Sequence, residues 1–172
     1  ACLRLPGIDG KAKMSKSLGN CIYLAEDPKD IKKKVMSMFT DPNHIRIEDP
    51  GSLEGNTVFT YLDAFCNDQH FEEYLPDYKN LDELKEHYQR GGLGDVKVKK
   101  FLNNVLQEEL EPIRKRREEL QKDIPYVYEV LKKGSEVARE TAAQTLHEVR
   151  DAMKINYFDD MELIRSQAKK YE

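Results

Sequence analysis

The stretch from Asp95 to Lys122 constrains the fold more than any other part of this chain. Val98, Phe101, Leu102, Val105, Leu106, Leu110, Ile113 and Leu120 recur at helical spacing along it. At 1.5 Å per residue the stripe runs for about 40 Å, far beyond an ordinary strand. An apolar stripe of that length has to be covered by other packed elements. Asp95 is placed to cap the helix, and Pro112, inside it, predicts a kink.

The flanking segments supply further helices. Asp27-Pro28 reads as a cap followed by proline at the first helical position, with Ile31, Val35, Met38 and Phe39 on one face. Lys29, Lys32, Lys33 and Lys34 crowd the opposite side, as a solvated face or a phosphate-facing one. Thr40-Asp41-Pro42-Asn43 ends that helix, and residues 44–56 carry turn chemistry. A helix from about Thr57 buries Val58, Tyr61, Leu62 and Phe65, and Phe71, Tyr74 and Leu75 continue its contacts. Asn80 to Glu83 resembles a capping box ahead of Leu84 and Tyr88, with a stop at Gly91-Gly92. Pro125 opens another helix with Val127, Val130 and Leu131 inward, broken or merely punctuated at Gly134. Val137, Ala138, Thr141, Ala142, Thr145, Leu146, Val149 and Met153 form a small-residue packing face. A short run, Cys21 to Leu24, could add one strand, and residues 157–172 read as a marginal last helix around Met161, Leu163 and Ile164. The expectation is a mainly α protein, a bundle of five or six helices.

A length of 172 residues suffices for a real core, and 35% charged residues without tryptophan suit a soluble, helix-rich chain. The net charge of −4 neither favours nor excludes nucleic acid, so the placement of cations matters more than their sum. Cys2, Cys21 and Cys66 are odd in number and widely spaced, which points to reduced thiols in a cytosolic protein. His44, His70, His87 and His147 form no metal-ligand spacing with them, and no bound metal is expected. No signal peptide or membrane-spanning run is present, so no membrane partner is expected.

Chemistry concentrates in Lys13-Met14-Ser15-Lys16-Ser17, bracketed by Pro6, Gly7, Gly10 and Gly19 and so read as a mobile loop. Two ammonium groups three residues apart, with a hydroxyl between them and another after, suit a polyphosphate. The plain alternative is a solvated, lysine-rich turn. Lys11 is a weaker candidate for a further phosphate contact.

This pentapeptide is identical to the signature loop of class I aminoacyl-tRNA synthetases. Thr40-Asp41-Pro42, Gly91-Gly92-Leu93-Gly94-Asp95-Val96-Lys97 and Leu110-Glu111-Pro112-Ile113-Arg114-Lys115-Arg116-Arg117 resemble the C-terminal helical part of the bacterial tryptophanyl branch, over about residues 3–155. The resemblance implies ATP binding by Lys13, Met14, Ser15, Lys16 and Ser17, with Lys13 and Lys16 catalytic, Met14 an apolar anchor, and Mg2+ arriving with ATP. It implies a cytoplasmic homodimer that activates L-tryptophan and passes it to tRNA(Trp). It also implies that a Rossmann domain holding the amino-acid pocket is missing here, since no His-x-Gly-His segment occurs. The expected division is residues 1–24 for the loop and the end of the catalytic domain, 25–156 for an anticodon-binding helical domain, and 157–172 for a tail. Such a fragment is expected to be inactive alone.

RNA contact needs cations along one element, with groups nearby that stack on or read bases. Arg114 and Arg117 are three apart, and Lys97, Lys99 and Lys100 begin the same helix, so Lys97, Lys100, Arg114 and Arg117 are the candidate tRNA contacts. Glu108, Glu109, Glu111, Glu118 and Glu119 lie beside the arginines, and an ion-paired helix face is the competing reading. The equivalent part of a tyrosyl-tRNA synthetase and a non-catalytic helical RNA-binding module remain as alternatives.

Overall fold

A computed structural model of the chain describes residues 4–158 and 160–171. It is mainly α, as the periodicity requires: among the described residues there are seven α-helices and no named strand. They are α1 (Pro28–Met36), α2 (Thr57–Phe65), α3 (Asp68–Tyr74), α4 (Leu81–Arg90), α5 (Asp95–Gln121), α6 (Ile124–Ala152) and α7 (Met161–Ala168), after a 3-10 turn at Lys16–Leu18. None is long and apolar enough to cross a membrane. Two compact units form, Ala1–Glu119 and Leu120–Glu172.

The count exceeds the expected five or six because the segment after Thr57 splits. Cys66 is extended, and Asn67 starts α3 with a reciprocal cap: its side chain accepts from the His70 amide, while His70 Nδ1 accepts from the Asn67 amide. The box anticipated at Asn80 is half made. Asn80 accepts from Glu83 N, but the Glu83 carboxylate reaches the amide of Lys79 instead. Asp27 caps α1 as expected, accepting from Lys29 N. No strand forms at residues 21–24, Gly134 does not interrupt α6, and α5 continues through Pro112. The first-unit core contains Ile31, Val35, Met38, Val58, Phe59, Tyr61, Leu62, Phe71, Leu84, Tyr88, Val98, Phe101, Leu102 and Val105. Ile113 departs from the expected stripe and is exposed, as are Val130 and Leu131 of α6. No side chain of α6 or α7 is buried, so the small-residue face of α6 is open to solvent in its own unit. Cys2 lies outside the described residues, and Cys21 and Cys66 are free thiols. Burial, with Asp68 and Asp63 adding to it, pushes the Cys66 thiol up to about 12.

The start of α5 is tied to the rest of the unit at one point. Asp95 is the first residue of the helix rather than its cap, and its carboxylate accepts from Thr40 Oγ1 at 2.8 Å and the Tyr88 hydroxyl at 2.7 Å. It also meets His44 Nδ1 at 3.1 Å. Burial pushes this carboxyl up, but the bonds from Tyr88, Thr40 and His44 outweigh that and hold it below its ordinary value. Burial and the Asp95 bond drive the Tyr88 phenol well above its own. The Tyr88 ring packs 4.8 Å from the centroids of Phe59 and His44. Gly51 lies against that ring so closely that a Cβ there would come within 2.2 Å of it.

Two substitutions test this node. Asp95→Ala leaves three donors without their acceptor and is expected to cost about 3 kcal/mol in urea unfolding. Because the folded pKa is depressed, the carboxylate's contribution is complete above the unfolded value of about 3.9 and is lost as pH falls through the folded one. The wild-type excess over Asp95→Asn should therefore vanish in strong acid. Gly51→Ala is expected to destabilise by about 2 kcal/mol through overpacking on Tyr88.

Candidate functional site

The pentapeptide sits in a loop whose backbone is clamped rather than left free. Pro6 and Lys13 form an isolated antiparallel bridge, and Gly7 N donates to Ala12 O at 2.7 Å. The Tyr61 hydroxyl of α2 donates to Pro6 O at 2.7 Å, and Phe39 N donates to Ile8 O at 2.8 Å, so the first unit's core grips the loop base. Met14 packs, partly buried, against that core.

Asn20 is the organiser that no motif announced. Buried at the far end of the loop, its Oδ1 accepts from Ser15 N at 2.8 Å. Its Nδ2 donates to Lys13 O at 3.3 Å and to Asp9 Oδ1 at 3.2 Å. One side chain thus satisfies the backbone on both sides of Met14. Gly7 makes room for it, since a Cβ there would come within 2.1 Å of Asn20 Nδ2. Gly19, at φ +66°, closes the 3-10 turn in the left-handed region that glycine adopts freely. The signal in the sequence was indirect: two glycines and an asparagine around a cationic run.

With the backbone so occupied, the polar ends face water. Lys11, Lys13, Lys16 and Ser17 are exposed, and neither Lys13 nor Lys16 makes an ion pair among the described residues. The Ser15 and Ser17 hydroxyls lie 2.8 Å apart. Lys11 and Lys13, with Arg4, line a cleft of about 270 Å³, which Lys16 does not join. Arrays of this kind attract an anion with several charged oxygens, because unpaired ammonium groups on a fixed backbone lose little by engaging one.

The candidate RNA contacts separate into two groups on α5, about 25 Å apart at 1.5 Å per residue. At its start, Lys97 bonds Asp77 at 2.8 Å, which raises its pKa, and lies over the Tyr78 ring at 5.4 Å. Lys99 is turned inward onto Met36 O, and burial lowers its pKa. Lys100 is exposed. Farther along, Arg114 folds back on Gln107, donating to Oε1 at 3.0 Å and to the carbonyl at 3.4 Å. Lys115 pairs with Glu111 at 2.7 Å and Arg116 with Glu119 at 2.9 Å. Arg117 borders a shallow depression with Ile113, Tyr23, Leu24 and Glu26. Among the four lysines of α1, Lys33 pairs with Asp30, and Lys34 is half-buried on Glu26 and Cys21 O.

Residues 4–111 match the family described as tRNA synthetases class I (W and Y). A tryptophan–tRNA ligase of Clostridium longisporum is 65% identical over 158 residues, which is 92% of this chain and 44% of that protein. One of Streptococcus agalactiae serotype V is 58% identical over 155 residues, 90% of this chain and 43% of that protein. Among solved structures, tryptophanyl-tRNA synthetase of Campylobacter jejuni complexed with ADP and tryptophan is similar at a TM-score of 0.67 and 27% identity. That likeness covers 88% of this chain and 43% of the other. The chain therefore spans less than half the length of the curated relatives it matches.

The clamp makes a prediction that is independent of any ligand. Gly7→Ala should expel the Asn20 amide, shift the Ser15 and Ile8 amide resonances, and lower stability by about 1–3 kcal/mol. An unmoved Ser15 amide would show that Asn20 does not set the loop.

Proposed function

We propose, for a chain that belongs to the class I tRNA synthetases of tryptophan and tyrosine, that it supplies the phosphate-binding loop and an RNA-binding helical part of a tryptophan–tRNA ligase. The observation that carries this reading is the loop: its backbone is held by Asn20 and Tyr61, while Lys13 and Lys16 present ammonium groups that make no ion pair among the described residues. The names of the similar proteins favour tryptophan over tyrosine.

In the proposed reaction the carboxylate of tryptophan attacks the α-phosphorus of ATP, the bond to the β-phosphate oxygen breaks, and pyrophosphate leaves with the electron pair. Negative charge accumulates on the departing oxygens. Lys13 and Lys16 lower the barrier by meeting that charge, an interaction stronger in the transition state than in the bound substrate. Ser15 and Ser17 add hydroxyl donors, Met14 anchors the loop, and Lys11 offers one more cation beside Lys13. The tryptophan pocket belongs to the portion of the ligase that this chain does not span. Transfer to tRNA(Trp) uses the helical unit through Lys97, Lys100, Arg114 and Arg117. The homodimer and the cytoplasmic setting of the whole enzyme, and the Mg2+ that accompanies ATP, rest on the family alone.

Lys13→Ala or Lys16→Ala in the whole ligase is expected to lower the rate constant of tryptophan activation by about 100-fold, or ~3 kcal/mol, as for loss of one oxyanion donor. The Michaelis constant for tryptophan should stay nearly unchanged. The 172-residue chain alone should give no tryptophan-dependent pyrophosphate exchange, since the pocket that holds the carboxylate in line belongs to the part of the ligase that it does not span. A steady rate constant with only a raised Michaelis constant would contradict the role given to these lysines.

A further inference from the structure

Asn20 holds more of the cationic loop in place than any lysine in it. The side chain is buried, and both ends of its amide are engaged. Oδ1 accepts from Ser15 N at 2.8 Å and lies 4.0 Å from the Cys21 thiol. Nδ2 donates to Lys13 O at 3.3 Å and to Asp9 Oδ1 at 3.2 Å. The Asn20 carbonyl adds a bond from Ile8 N at 3.0 Å. An asparagine amide offers donors and an acceptor together on one short stem, so neither aspartate nor leucine can answer the main chain on both sides of Met14.

Asp9 is the only acidic residue between residues 1 and 25, and it makes no ion pair among the described residues. Its carboxylate accepts from Asn20 Nδ2 and, at 3.5 Å, from the main-chain N–H of Lys11. An aspartate paired with the Lys11 or Lys13 ammonium group instead would cancel the charge that the loop has to offer. Beyond Ser15 the chain turns at once: Leu18 N donates to Ser15 O and Gly19 N to Lys16 O, each at 3.2 Å. The main chain from Lys13 O to Lys16 O is therefore fixed by Asn20 on one side and by the 3-10 turn on the other. Lys13 and Lys16 keep only their side-chain freedom. A cation that has only its rotamers to order loses less entropy in meeting a developing charge than one on a free backbone.

We propose that Asn20, held by Asp9, is a positioning residue for tryptophan activation: it sets the main chain from which Lys13 and Lys16 reach the departing pyrophosphate. Asn20 acts through Lys13, whose carbonyl it holds, and through Ser15, whose amide it holds, and not on the substrate. The proposal rests on the reading of this loop as the phosphate-binding part of a tryptophan–tRNA ligase. Because the lysines matter most in the transition state, a misplaced loop lowers the rate constant and leaves the Michaelis constant for tryptophan nearly alone. An asparagine that served only the fold would, when replaced, lower thermal stability and leave the rate per folded molecule as it was.

The test is tryptophan-dependent pyrophosphate exchange by the whole ligase, each rate referred to the folded protein in the same sample. Asn20→Ala is expected to lower the rate constant by about 10- to 100-fold, the scale of loss that a misplacement of about 1 Å produces. In a Lys13→Ala background the same change should lower it by only about 3-fold more, because a residue acting through Lys13 then has little left to place. Asn20→Asp keeps the volume, and so the fold, and keeps the acceptor for Ser15 N, but sets an oxygen against Lys13 O and Asp9. Its rate constant should fall as that of Asn20→Ala does. Adding Asp9→Asn restores a donor–acceptor pair between the two positions with its polarity reversed, and should recover about 5-fold of the loss. An undiminished rate constant in Asn20→Asp, or an Asn20→Ala loss that multiplies in full with that of Lys13→Ala, overturns the positioning role and leaves the phosphate-binding reading standing. No recovery in the swapped pair overturns the part given to Asp9. A Lys13→Ala ligase with an unchanged rate constant overturns the phosphate-binding reading, and this proposal with it.

Discussion

The 2.7 Å hydrogen bond from the Tyr88 hydroxyl to Asp95 is the contact on which the first unit depends. It joins the last turns of α4 to the first residue of α5 across a connection of glycines and one leucine, Gly91 to Gly94. The same carboxylate holds Thr40 and His44, so the segment after α1 is fixed to the same point. Buried acceptors with several donors are stabilising only when all are satisfied, because each orphaned donor carries its full desolvation cost. The node therefore helps to fix the direction in which α5 leaves α4, and that direction presents Leu102 and Val105 to the core.

The cationic loop repeats this logic at smaller scale. Asn20 answers the backbone of Ser15 and Lys13, Tyr61 answers Pro6, and Gly7 yields the space that Asn20 needs. The result divides labour between main chain and side chains. Polar main-chain groups set the shape, while the lysine ammonium groups keep their charge available for a ligand. A loop that used its lysines to hold itself together, as Lys34 does on Glu26, would have none to offer. The same distinction separates the two ends of α5. Its arginine-rich turn looks more basic in sequence than its beginning, yet Lys115 and Arg116 are paired with glutamates at helical spacing and Arg114 is folded back on Gln107.

Several features were legible from local pattern because local physics governs them. Helical periodicity located α1, α2, α4 and α5, Asp27 and Asn80 capped as their chemistry requires, and the lysine–serine loop stood out by charge and bracketing glycines. The break before α3 was missed because its cap uses histidine as the reciprocal partner, in place of the usual glutamate or glutamine. Gly134 left a break and an uninterrupted helix both open, and the helix runs through it, because a glycine in a long helix costs only about 1 kcal/mol and the surrounding turns carry it.

By itself, the sequence located most of the helical stretches and the apolar face of the first-unit helices, and singled out a lysine–serine run between glycines, since each is settled by groups a few residues apart. It could not show that Asp95 serves three donors, the nearest of which lies seven residues away and the others 51 and 55. Nor could it show that Asn20 shapes the loop, or that Ile45, Tyr78 and Lys100 border one groove. It marked a packing face on α6 without saying whether anything covers it, because an apolar stripe specifies the need for a surface and not the surface itself. Those matters were decided by tertiary structure: hydrogen-bond partners and cavities form between segments distant in the chain, and only packing of the shared core brings such segments to within about 3 Å.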